Sequence, residues 1–159
     1  MSAYPPPPPG PMGAQEPVDA LGRPLAAWSQ RLVAFVIDEI FVQVVTICAR
    51  IALGLRHTLA GAILSVAMAA AYYAVLNGGE MGQTFGKRVV GIQVRDAASG
   101  GAIGAERAAL RYVVVGMFRV IVFFGLFTVL DGLWPLWDPK RQALHDKIAG
   151  SVVVRLTAS

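Results

Sequence analysis

Two acids stand side by side inside the first long apolar stretch of the chain, Asp38 and Glu39 in RLVAFVIDEIFVQVVTICARIALGL. A charge held in hydrocarbon costs at least about 2.5 kcal/mol, so an acid at such a position needs a partner or a task. A second apolar stretch, Leu59 to Leu76, runs 18 residues without a charge and is long enough to cross a bilayer core. Three apolar stretches in 159 residues leave too little chain to wrap them as soluble core helices. The expectation is an all-α membrane protein with a polar interior.

Composition agrees. Hydrophobic residues make up 55% of the chain, and the mean hydropathy is +0.57. The net charge of +4 fits an excess of Lys and Arg in cytoplasmic loops. Basic residues are not interleaved with stacking aromatics outside the apolar stretches, so no nucleic-acid partner is expected. The lone cysteine, Cys48, can form neither an intrachain disulfide nor a cysteine metal site, and reads as a small apolar filler.

Eight of the ten prolines lie in the first 24 positions, including the run Pro5 to Pro9. Residues 1–27 therefore read as a disordered, proline-rich cytoplasmic tail, and residues 28–159 as the membrane domain. A first helix is expected over 30–55, capped by Ser29, and a second over 58–76. Ala67, Ala70, Ala71 and Ala74 would give the second a small packing face. A polar stretch from Glu80 to Arg111 contains a short strand, 89–94, and the start of a further helix at 104–111. The third apolar stretch, 112–136, is interrupted by Gly116, Arg119, Gly125, Asp131, Gly132 and Pro135. A strand-like tail, 151–156, follows.

Lys87, Arg88, Arg95, Arg107 and Arg111 place the middle loop in the cytoplasm. Lys140, Arg141, Lys147 and Arg155 place the C-terminal tail there too, and the N-terminus joins them. A single crossing by 112–136 would contradict this. A broken or re-entrant third segment satisfies it, and lets strands 89–94 and 151–156 pair on the cytoplasmic side. The expected fold is a small bundle of two spanning helices, a returning third segment and a short cytoplasmic strand pair.

Glu39, Gln43, Thr46 and Arg50 share one helical stripe, with Asp38 displaced by about 100°. Arg119 lies eight residues in from Arg111, and Asp38 seven in from Arg31, each about 10–12 Å deep. These residues form a candidate intramembrane charge network, with Arg119 paired to Asp38 or Glu39. One Arg for two acids leaves a carboxyl able to exchange protons or cations; a network that only fixes helix packing is the competing reading.

Familiar catalytic motifs fail. GGEMGQTFGKR lacks the glycine and the hydroxyl of a phosphate loop, at Met81 and Arg88. His57 and His145 are not in ligand-spaced clusters, so no metal or cofactor is expected. His145-Asp146 reads better as a turn fixed by side-chain hydrogen bonds than as an acid–base pair, and an enzyme is not expected.

Three ordered blocks, over roughly residues 28–156, resemble the RDD family of bacterial membrane proteins. WSQRLVAFVIDEI supplies Arg31 and Asp38. GQTFGKRVVGIQV supplies Gly82, Thr84, Gly86 and Lys87, with Arg107 or Arg111 as the following arginine. LHDKIAGSVVV supplies His145, Asp146, Ala149 and Gly150, with Ser151 where the family has threonine. Asp146 reads as the second aspartate, Asp131 as its competitor. The resemblance implies a multipass protein of the bacterial inner membrane, linked to transport. Gly82 and Gly86 would permit a tight cytoplasmic turn, anchored to anionic headgroups by Lys87 and Arg88. Asp146 would clasp Arg88, Arg107, Arg111 or the turn's amides.

The functional expectation is transport of an ion or small solute. Its partners would be the lipid bilayer and further copies of the chain. The alternative is a non-catalytic accessory or assembly subunit of a larger membrane complex.

Overall fold

Two long helices carry the apolar sequence. The computed structural model describes residues 16–120 and 125–156, with side chains described except at 116–120 and 125–128. Helix α1 spans Trp28–Ala52 and α2 spans Leu59–Gly78. Each has the length and composition to cross a membrane, and only 22% and 11% of their apolar windows are buried. A core helix of a soluble protein would be mostly covered. Here Val33, Val36, Ile40 and Val44 of α1 and Leu59, Ile63 and Val66 of α2 are bare.

Helix α1 begins two residues earlier than expected. Ser29 lies inside it, and the Gln30 side chain instead accepts from the Ala27 N–H at 3.0 Å. Thr58 caps α2 by accepting from the Gly61 N–H at 3.0 Å. The buried line of α2 is Gly61, Ala69 and Asn77, not the expected alanine face, since Ala67 and Ala71 are exposed. Tyr72 and Tyr73 are aromatic neighbours on that helix, and Tyr73 stacks on Tyr112 at 5.3 Å.

A short helix, α3 (Phe85–Val89), precedes strand β1 (Ile92–Asp96). The strand was expected at 89–94. Residues 85–89 coil into a turn of helix instead, and Gly91, at φ 68°, ends it in the left-handed region. Helix α4 covers Gly104–Val120 and α5 Gly125–Leu133. A 3-10 turn at Trp134–Leu136, helix α6 (Leu144–Ile148) and strand β2 (Ser151–Arg155) complete the chain.

β1 and β2 pair antiparallel, from Ile92 opposite Arg155 to Asp96 opposite Ser151. Their free edges are covered. The Val94 N–H donates to Gly82 O at 2.7 Å. On the other side Leu25 bridges Val154, and Arg155 donates to Pro24 O at 2.8 Å. Covering an edge removes a template for aggregation. Residues 16–27 therefore depart from the expected tail: Leu25 is 1% exposed and joins Val152 and Val154 in a small core. The proline run itself, 5–9, lies outside the described residues.

The end of α2 meets the start of α4, where a Cβ on Gly78 would lie 2.5 Å from the Ala105 Cα. The third apolar stretch begins and ends at the same place. Arg111 of α4 and Asp131 of α5 both reach His145 of α6. Trp28, at the start of α1, donates its indole N–H to Gly132 O at 2.8 Å.

Candidate functional site

Asp38 is 1% exposed, and its carboxylate is filled by donors from two other elements. Tyr72 donates its hydroxyl to Oδ1 at 2.7 Å, and the Gly86 N–H donates to the same oxygen at 2.7 Å. Thr84 donates its hydroxyl to Oδ2 at 2.5 Å. Tyr72 in turn accepts from the Phe85 N–H at 2.9 Å. Gly86 permits this approach, because a side chain there would collide with the Ala34 carbonyl. Gly82, at φ 58°, lies so close to the Val94 carbonyl that a Cβ would overlap it. The central block thus folds around Asp38 and supplies hydrogen bonds to its carboxyl group.

A second node surrounds Asp146, which is fully buried. Arg31 of α1 and Arg111 of α4 both pair with it, Arg111 Nη2 at 2.5 Å from Oδ1. The Ala143 N–H donates to Oδ2 at 3.1 Å, and His145 Nε2 lies 3.3 Å from Oδ1. His145 Nδ1 meets Asp131 at 2.6 Å, and its backbone N–H donates to Asp131 Oδ1 at 3.0 Å. Burial pushes the Asp146 pKa up, but Arg111, Arg31 and His145 outweigh it and hold the carboxyl well below its ordinary value. Burial pulls His145 down, yet Asp146 and Asp131 raise it overall.

The expected clasp on Asp146 therefore exists, with a corrected membership. Arg111 was among the candidates; Arg31, 115 positions away, was not. Arg107 pairs with Asp96 at 2.5 Å and donates to the carbonyls of Ala149 and Gly150. Arg88 is exposed, and its guanidinium donates to the Met81 sulfur. Asp131 serves the histidine rather than the arginines.

The proposed charge network divides. Asp38 pairs with no cation among the described residues. Glu39 lies beside the Tyr73 hydroxyl at 3.3 Å. The Arg119 side chain lies outside the described residues, and with it the expected pair to Glu39. Thr46 is buried and returns its hydroxyl to Val42 O at 2.9 Å, while Gln43 is exposed. Arg50 caps the α1–α2 turn by donating to Arg56 O. The stripe thus runs from the Tyr73 contact to a turn cap.

Lys87 was expected at the surface. Instead it is partly buried, lines a cavity of about 440 Å³, and donates to Thr84 Oγ1 at 3.4 Å. Burial, then the charge of Arg111, bring its pKa down to about 8 against the pull of Asp38 and Asp146. The cavity lies among α1, α3, α4 and α5, with Arg31, Asp38, Lys87, Arg111, Asp131 and His145 on its polar side. A smaller cavity of about 130 Å³ lies between α1 and α2, lined by Gln43, Thr46 and Ser65. The two share Glu39, Tyr73 and Tyr112. Sequence reasoning missed Tyr72, Tyr73 and Asn77; the only available signal was polar groups inside an uncharged apolar helix.

A stretch of 76 residues, 48% of the chain, is 36% identical to 29% of a protein named Proline-rich antigen homolog from Mycobacterium tuberculosis, in strains CDC 1551 / Oshkosh and ATCC 25618 / H37Rv. Over 74 residues, 46% of the chain, it is also 36% identical to 27% of the Proline-rich antigen of Mycobacterium leprae strain TN. The matched part spans under a third of the length of these curated relatives. No solved structure matches the chain. Arg31, Asp38, the central glycine block and Asp146 all fall within residues 25–150, the span that matches the RDD family, and the chain belongs to that family.

Proposed function

We propose that this chain is a non-catalytic, multipass membrane protein that carries an ion or small solute through the large and small cavities described above. Membership of the RDD family and two long apolar helices point to a membrane protein. The observation that supports a path is the shared wall of Glu39, Tyr73 and Tyr112 between the large and small cavities. A side chain swing at Glu39 or Tyr73 would join them. Polar groups at membrane depth are costly and concentrate along such routes.

In this reading the N-terminus, the middle loop and the C-terminal strand share the cytoplasmic side, as their basic residues favour. The stretch from α4 to α5 then enters and returns, since both of its ends reach His145. The exposed Gln43, beside the bare Ile40, Val44 and Ile47, suits a second copy of the chain, which would complete the path.

Two experiments test this. Reconstituted protein should conduct solute-driven or ion-driven flux in liposomes, and Glu39→Gln should reduce it at least several-fold; wild-type vesicles no leakier than empty ones would end the transport reading. For the topology, Ser159→Cys in a Cys48→Ser background should react with an impermeant maleimide only after cells are opened. Labelling of intact cells would end the returning geometry.

A further inference from the structure

We propose that the large cavity binds an anionic amphiphile, its acid group held by Lys87 and Arg111 and its apolar part along Trp28, Leu32, Val129 and Leu133. This deepens the reading above by naming a ligand class for the same cavity.

The charge pattern decides between a cation and an anion. The carboxylates of described partnership at this cavity are already served. Asp38 receives three donors, and Asp131 is engaged twice by His145. Behind the wall, Asp146 is held by two arginines. A cation entering beside Asp38 or Asp131 would have to displace one of these bonds. The positive side differs. Lys87 makes no ion pair among the described residues, and the hydroxyl of Thr84 at 3.4 Å is its side-chain hydrogen-bond partner. Arg111, 8% exposed, keeps Nη1 buried without a hydrogen bond. Buried donors left empty are costly, so an acceptor is favoured there. Asn77 lines the same cavity and keeps its buried Oδ1 without a donor. An acid group that also carries a hydroxyl nearby would supply both needs.

The remaining wall is apolar and reaches the surface: Leu32 is 43% and Val129 55% exposed. A free inorganic anion would leave this wall wet. A headgroup bearing a hydrocarbon chain covers it, and about 440 Å³ accommodates a headgroup with the start of a chain. Trp28 lines the cavity, its N–H tied to Gly132 O, and offers an optical probe in place.

The test uses the full chain purified in a neutral detergent. Brominated phosphatidylglycerol is titrated while indole fluorescence is followed in a Trp134→Phe/Trp137→Phe background. The expected result is saturable quenching, reversed by unbrominated phosphatidylglycerol and not by phosphatidylcholine. Lys87→Gln should weaken binding roughly tenfold, by loss of one charge-assisted contact, while Lys87→Arg restores it. Lys140→Gln, at an exposed position outside the cavity, should leave it unchanged. Thermal unfolding of each variant separates lost binding from lost fold. Equal quenching by brominated phosphatidylcholine, or a folded Lys87→Gln with unaltered affinity, overturns the proposal. Reversal by inorganic phosphate at the potency of the lipid assigns the site to free phosphate and overturns the amphiphile. Saturable binding without flux in liposomes leaves this proposal standing and removes transport; flux without binding does the reverse.

Discussion

Asp38 and Glu39 are neighbours in sequence and live in different surroundings. Asp38 holds α3 to α1 through Thr84 and Gly86, while Glu39 faces Tyr73 and both cavities. Asp146 does at the end of the bundle what Asp38 does along it. Asp146→Asn would leave Arg31 and Arg111 facing each other with half a partner. The expected loss is about 3–5 kcal/mol, read as a lowered unfolding temperature in detergent. Lys87 makes the opposite case, since its ammonium is buried with weak compensation. Lys87→Met should therefore leave the unfolding temperature in ligand-free detergent unchanged or raise it, a cost retained for function.

The same cluster sets the pH dependence. Asp146 has a depressed folded pKa, so its contribution is present above about pH 4 and drains away as pH falls toward the folded value. His145 has a raised folded pKa, so its contribution is full below about pH 6.5 and is lost as pH rises through the folded value. Thermal unfolding against pH should show a maximum between these two limits. His145→Gln should flatten the alkaline side and weaken the acid side as well, because the imidazole helps hold Asp146 and Asp131 low.

Among elements, α3 is one of the shortest and the most consequential. Five residues cannot hold a helix in water, so docking on α1 must stabilise it. Its docking depends on a glycine: a Cβ at position 86 would overlap the Ala34 carbonyl and lie 3.0 Å from Asp38 Cγ. Gly86→Ala should cost about 1–3 kcal/mol by overpacking, and Tyr72 should become accessible to nitration as its bonds to Asp38 and Phe85 N are lost. An unchanged unfolding temperature and an unmodified Tyr72 would show that α3 docks some other way. The motif glycines were legible in sequence. The helix they serve was not, because one turn leaves no periodicity, and the apolar Val89, Val90 and Ile92 read as strand.

At the scale of the molecule, the two long apolar helices are tied to the polar end through Trp28, Arg31 and Asp38. Residues 16–27 hold that end together, closing the free edge of β2. A chain beginning at Trp28 loses the buried Leu25 and Ala26 and should unfold at a lower temperature, by about 2–4 kcal/mol. Removing residues 1–15 tests the proline run separately from that edge.

The charge rule asks the third apolar stretch to return to the side it starts from. In the structure Arg111 and Asp131, near its two ends, meet at one histidine. Pairing by depth sets Arg119 opposite Asp38 or Glu39, and the Arg119 side chain lies outside the described residues. What depth leaves out is α2 and the central block: the hydroxyls of Tyr72 and Thr84 and the Gly86 amide all donate to the Asp38 carboxyl group.

Sequence alone determined the two long helices, the strand pair and the family blocks, because apolar length, local patterning and glycine spacing are written locally. Which cation meets which carboxylate was decided only by tertiary structure. Arg31 and Asp146 lie 115 positions apart, and nothing local in either segment records that their helices end at the same place. That Lys87 turns inward, to face a cavity instead of headgroups at the surface, likewise follows from the docking of α3 against α1.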